Sequence, residues 1–125
     1  MNLLEFTDEP LKVIVAGTRT VNDYGLVRFA IEDFPHTISE IVCGGAKGVD
    51  SLGEKWAVDN NVTVKYFPAD WDLHGRSAGP IRNKQMAEYA DALILIWDGK
   101  SKGSANMLNE AKKKSLIVVE ILLTS

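Results

Sequence analysis

Short apolar runs alternate along the chain with segments of helical periodicity. Lys12-Val13-Ile14-Val15-Ala16 is the first, and its unbroken apolar character is that of a strand buried on both faces of a parallel sheet. Glu40-Ile41-Val42-Cys43 is the second, and Val62-Thr63-Val64-Lys65-Tyr66-Phe67 the third, with β-branched alternation. Ala92-Leu93-Ile94-Leu95-Ile96-Trp97 is the most hydrophobic, and 116–122 is the last. Between the first two runs, Leu26, Val27, Ala30, Ile31 and Phe34 recur at helical spacing. Asn22 or Asp23 is placed to cap that helix, and Pro35 to end it. Val49, Leu52, Trp56 and Ala57 predict a second helix closed by Asn60-Asn61. Pro80 suits a helix start and predicts one over 80–90, and a further helix is expected over 104–114. A connection from Pro68 to Gly79 holds Trp71, His74 and Arg76. The predicted fold is α/β: an open parallel five-stranded sheet with helices on both faces. Residues 1–11 read as an N-terminal arm and 12–125 as a single domain.

Polar, glycine-bearing turns follow three of these strands. They are Gly17-Thr18-Arg19, Gly44-Gly45-Ala46-Lys47-Gly48 and the stretch from Asp98 to Ser104. In open parallel sheets ligands sit beyond the carboxyl ends of the strands, where strand order reverses, so the three turns are expected to converge on one crevice. Glycine leaves backbone amides uncovered, and a helix N-terminus adds positive potential, which together suit an anion such as phosphate. The glycine spacing is neither G-x-G-x-x-G nor G-x-x-x-x-G-K-[ST]. A standard dinucleotide fingerprint and a Walker nucleotide loop are therefore both unsupported.

Composition narrows the class. The 125 residues carry a formal net charge of −3, with 46% hydrophobic and 25% charged residues, as in an ordinary globular chain. A net-acidic chain with pI near 5.3 argues against a broad nucleic-acid-binding face. The lone cysteine excludes an intramolecular disulfide and suits a reducing cytosol. No signal peptide or membrane-length apolar run is visible, so a cytoplasmic protein without membrane association is expected. No cofactor, metal site or catalytic residue is expected. His74 has no second His or Cys at ligand spacing, Cys43 reads as a small core residue, and Lys112-Lys113-Lys114 as a solvated helix end.

Six linked motifs carry a family resemblance: Gly17-Thr18-Arg19, the segment Cys43 to Asp50, Phe67-Pro68-Ala69-Asp70-Trp71, Ala78-Gly79-Pro80-Ile81-Arg82-Asn83, Ala90-Asp91, and Trp97 to Ser104. Over about residues 12–120 the chain resembles the YspA/cpYpsA-related branch of the SLOG superfamily. These are Rossmann-like domains related to DNA-processing protein A and the Lonely-Guy phosphoribohydrolases. The resemblance implies a pocket for a nucleotide or nucleotide-derived ligand, in a sensor or sequestering role.

Two related branches imply alternatives. Lonely-Guy enzymes carry an Arg-Lys-x-x-Met helix, an Ala-Asp-Ala strand entry and a Gly-Gly-x-Gly-Thr-x-x-Glu turn, implying an N-glycosidic hydrolase of nucleoside monophosphates. Arg82-Asn83-Lys84-Gln85-Met86 and Ala90-Asp91-Ala92 match the first two, but Met107 stands where the catalytic glutamate belongs. A thioether neither moves a proton nor stabilises an oxocarbenium ion, and Glu110 lies nearly a helical turn further on. DNA-processing protein A is echoed by Gly17-Thr18-Arg19 with Tyr24-Gly25 and by the turn ending at Asp50. A DNA-associated module needs a positive groove and stacking aromatics, which the acidic balance does not supply.

The expected ligand-binding set is Gly17, Thr18, Arg19, Gly44, Gly45, Lys47, Asp50, Trp71, Arg82, Asn83, Asp98, Ser101, Gly103 and Ser104. Phosphates are expected over the Gly17, Gly44-Gly45 and Ser104 turns, with Arg19 and Arg82 supplying charge and Asp50 or Asp98 reading hydroxyls. Asp50 serves equally as a helix cap, Lys47 as an exposed turn lysine, and Trp71 as core, lid or stacking platform. Self-association, most simply as a dimer, fits the apolar helices flanking the sheet.

Overall fold

A computed structural model describes residues 9–123. Strands β1 (Leu11–Gly17), β2 (Ile38–Cys43), β3 (Thr63–Tyr66), β4 (Ala92–Trp97) and β5 (Ile117–Leu122) form one sheet in the order β3-β2-β1-β4-β5. Every pairing is parallel. The intervening helices are α1 (Tyr24–Glu32), α2 (Val49–Asp59), α3 (Trp71–His74), α4 (Ala78–Tyr89) and α5 (Lys102–Lys113). The five strands and four long helices are those the apolar pattern predicts. Most of the expected N-terminal arm lies outside the described residues, and β1 takes up Leu11, its last position.

Alternation within β1 and β4 sorts their side chains onto two cores. Val13, Val15, Ala92, Ile94 and Ile96 face α1 and α2, where Val27, Ile31, Trp56 and Ala57 cover them. Ile14, Ala16, Leu93, Leu95 and Trp97 face α4 and α5, against Met86, Ala87, Met107 and Ala111. β4 is thus apolar at every position, and β1 from Val13 to Ala16, because each face has its own helical layer. Burying one such Ile or Leu side chain contributes about 1.5–3 kcal/mol.

Local chemistry sets the helix ends. Asp23 caps α1 by accepting from Leu26 N–H at 3.2 Å, and Asp70 caps α3 by accepting from Leu73 N–H at 3.0 Å. Asn61 at φ 57° turns the chain out of α2, as its sequence position predicts, and Ser115 does the same after α5. Two boundaries differ from expectation. The connection after β3 contains α3 and a 3-10 turn, Gly75–Ser77, and α4 begins two residues before Pro80. α5 starts at Lys102 rather than Ser104, because the Ser101 hydroxyl accepts from Ser104 N–H at 3.4 Å and so takes the capping role.

At Gly17 the end of β1 lies against β4 with no room for a side chain. A Cβ there would stand 1.9 Å from the Ile96 carbonyl oxygen and 2.9 Å from Val49 Cγ2. Rigid backbone cannot yield to that clash. Gly17→Ala is expected to lower unfolding free energy by about 3 kcal/mol in urea denaturation. Gly103→Ala, whose Cβ meets no atom within 4 Å, is expected to raise it by about 0.5 kcal/mol.

Candidate functional site

The strand order reverses between β1 and β4, and the polar turns meet at the carboxyl ends of these strands. Thr18 knots them together. Its N–H donates to Ile96 C=O at 3.1 Å, its hydroxyl accepts from Asp98 N–H at 3.1 Å, and its carbonyl accepts from Val49 N–H at 3.4 Å. One residue therefore binds the turn after β1 to the turn after β4 and to the start of α2. Gly48, at φ 76°, lies where a Cβ would come within 2.4 Å of the Thr18 carbonyl oxygen. The convergence expected from the sequence is present.

The glycine turn after β2 is held from both sides. Gly44 N–H donates to Asp50 Oδ2 at 3.1 Å, and Gly44 C=O accepts from Arg82 Nη1 at 2.8 Å. A Cβ at Gly44 would stand 2.0 Å from that nitrogen, so glycine is what admits the guanidinium. Asp50 is 5% exposed. Burial pushes its carboxyl up to about 6, against the pull of the Gly44 amide, the Arg82 charge and the Ala46 and Gly17 amides. A carboxylate of the protein itself thus occupies the Gly44 and Ala46 amides of the glycine turn. Burial also lowers Arg82, with Asp50 opposing and Arg19 adding to the shift. The network continues sideways: Arg82 Nε donates to Asn83 Oδ1 at 3.0 Å, and Asn83 Nδ2 donates to Asn106 Oδ1 at 2.8 Å and to Gly103 C=O at 3.3 Å.

Above these ties lies a cleft of two lobes. The first, about 400 Å³, is lined by Gly17, Arg19, Asp50, Arg76, Arg82, Asn83, Ser101, Lys102, Gly103, Ser104 and Asn106, with Ala16, Pro80, Met86 and Met107 among its apolar walls. The second, about 660 Å³, is lined by Gly44, Gly45, Lys47, Tyr66, Pro68 and Ala69. Arg19, Ala46, Trp71 and Arg82 border both. Five cations face this space and a single carboxylate does.

Comparison with known proteins identifies the family and the fold. Residues 11–74 match the model of the YspA, cpYpsA-related SLOG family. The chain belongs to this family. Gene 61 protein of Mycobacterium phage D29 is 32% identical over 117 residues, covering 86% of this chain and 94% of that relative. The X-ray structure of DNA processing protein A from Streptococcus pneumoniae superposes with a TM-score of 0.74 at 18% identity, over 92% of this chain and 51% of that one. At that identity the likeness is one of fold, and this chain spans about half the length of that protein. The SLOG and Rossmann-like expectations are thereby confirmed.

Most of the residues singled out in this SLOG protein line the cleft, but two do not. Thr18 and Asp98 build the turns behind it. Asp98 Oδ1 accepts from Lys100 N–H at 2.9 Å and Ser101 N–H at 3.0 Å, and these amides hold its carboxyl below the usual range. A hydroxyl-reading Asp98 therefore gives way to a structural one, since short turns need an acceptor for their amides. Trp71 is 52% exposed on the rim, which rules out its reading as core. Sequence reasoning missed Arg76, Lys102 and Asn106. Arg76 sat in an unassigned connection, and the one signal for it was a cation beside a glycine.

Met107 is buried in the cleft floor, as its helical spacing with Leu108 and Ala111 requires. Glu110 is not on the cleft lining and pairs with Lys113 at 3.6 Å. Cys43 is fully buried, and desolvation pushes its thiol up to about 12, out of the reactive range. Among the described residues no His, Cys, Asp and Glu group could hold a metal, and no helix is long and apolar enough to cross a membrane.

The Asp50 value carries a stability prediction. Its folded pKa, about 6, lies above the ordinary 3.8, so the folded state holds the proton more tightly. Stability from this group falls as pH rises from about 4 to about 6 and levels off above, by on the order of 3 kcal/mol. Urea midpoints of wild type and Asp50→Asn between pH 4 and pH 7 check this. The wild type is expected to lose ground to the variant across that window, and a constant difference would refute the assignment.

Proposed function

We propose that this SLOG protein binds a nucleotide or nucleotide-derived small molecule in the cleft at the C-terminal edge of its sheet, as a sensor or sequestering protein. The observation that carries the reading is charge placement. A chain of net charge −3 gathers Arg19, Lys47, Arg76, Arg82 and Lys102 around one cleft, opposed by Asp50 alone. Cations gathered at one concave place in an acidic protein attract an anion and raise its local concentration.

The rest of the lining suits the other parts of such a ligand. Pro80 and the half-exposed Trp71 offer apolar and aromatic surface to a base, above the buried Met86 and Met107. The first turn of α5, capped by Ser101, turns its amides and positive dipole end toward the first lobe, beside Lys102, Gly103 and Ser104. Asp50 already balances the first turn of α2, so the α5 end is the better seat for phosphate.

One dipole or amide contact contributes about 0.3–1 kcal/mol at an exposed site. Micromolar binding needs roughly −8 kcal/mol, and so needs several such contacts together with a stacked base. Calorimetry against a panel of nucleotides and ADP-ribose tests the reading. At least one member is expected to bind in the micromolar range, and Arg19→Ala is expected to weaken it by about tenfold, roughly 1.4 kcal/mol. Silence across the panel, or an Arg19→Ala protein indistinguishable from wild type, would count against it.

A further inference from the structure

The side-chain carboxylate and amide oxygens that line the cleft, those of Asp50, Asn83 and Asn106, are each engaged inside the protein. Asp50 Oδ2 receives Gly44 N–H at 3.1 Å, and the Gly44 carbonyl receives Arg82 Nη1 at 2.8 Å. Asn83 Oδ1 receives Arg82 Nε at 3.0 Å. Asn106 Oδ1 and the Gly103 carbonyl receive Asn83 Nδ2 at 2.8 and 3.3 Å. What these ties leave uncommitted are donors: the Arg19 and Arg76 guanidiniums, the Lys102 ammonium and the Asn106 side-chain nitrogen. Among the described residues Arg19, Arg76 and Lys102 form no ion pair.

A donor-rich, acceptor-poor cleft discriminates in a definite way. A sugar hydroxyl is told from a hydrogen by a free acceptor, most effectively a carboxylate. The one carboxylate on the lining is turned into the Gly44 loop. Phosphate oxygens are pure acceptors and fit the donors that remain. In the first lobe four cations stand against that one carboxylate, whereas a phosphate monoester brings roughly −1.5 to −2 at neutral pH. A diphosphate brings a further full negative charge and more acceptor oxygens. The adjoining lobe, sharing Arg19 and Arg82, gives a longer chain room to run between them.

We infer that the cleft selects nucleotides by the length of their phosphate chain, taking diphosphates over monophosphates, and that it does not read the ribose 2′-hydroxyl. The inference rests on the nucleotide reading above and names the ligand class of that same site.

Calorimetry of the full chain with AMP, ADP and dADP at one ionic strength tests it. ADP is expected to bind about tenfold or more tightly than AMP, the gain from one further charge-assisted contact. The dADP constant is expected within about threefold of that for ADP, since no free carboxylate or amide oxygen is there to distinguish them. Arg76→Ala and Lys102→Ala, both on exposed side chains, are expected to bring the ADP-to-AMP ratio toward one without shifting the thermal midpoint. Equal binding of AMP and ADP, or a loss of about tenfold on passing from ADP to dADP, overturns the selectivity while leaving nucleotide binding in place. Silence with all three ligands overturns the selectivity, and silence across the wider panel of nucleotides and ADP-ribose overturns the nucleotide reading as well.

Discussion

The architecture depends on how closely two backbones approach at the point where strand order reverses. β1 and β4 lie side by side with no side chain between Gly17 and the Ile96 carbonyl, and the next residue, Thr18, ties both strand ends and the start of α2. Backbone contact of this kind is rigid, because it is set by the sheet ladder rather than by adjustable side chains. The loops around the cleft inherit that rigidity. A site assembled from separate turns needs it, since a binding constellation loses affinity when its parts drift.

A second feature follows from where the protein places its own anion. A glycine turn before a helix offers bare amides, and a bound phosphate is one way to satisfy them. Here Asp50 satisfies Gly44 instead, and Arg82 holds the same residue by its carbonyl. Burying this carboxylate is unfavourable enough to push its pKa up to about 6. Such strain is tolerated where it fixes a loop in one conformation. The cleft's excess positive charge is thereby shifted away from the glycine turn, toward the connection after β3 and the first turn of α5.

The fold was legible because its signals are local and redundant. An unbroken apolar run such as Ala92 to Trp97 tells of a strand covered on both sides, and Asp23, Asn61 and Pro35 punctuate helices by their own conformational preferences. The site was legible only in part. Arg19, Arg82, Asn83 and Ser104 were found because they flank strand ends or open helices, places that topology carries to the sheet edge. Arg76 was missed because the chain around it forms a short α3 and a 3-10 turn with no apolar period to read. Asp98 was misjudged because a turn carboxylate that serves two amides looks, in sequence, like one that faces a ligand.

The amino-acid order by itself determined the alternation of strands and helices, the parallel sheet that follows from it, and the polar turns gathered on one edge. Periodicity, capping and glycine placement act over a few residues and need no distant partner to be read. Only the tertiary structure decided which polar groups remain available for a ligand. Gly44 and Arg82 are separated by 38 positions, and Asn83 and Asn106 by 23, yet each pair is joined by a hydrogen bond. Whether a donor or acceptor is spent internally or left to face the cleft depends on those long-range contacts, and packing alone sets them.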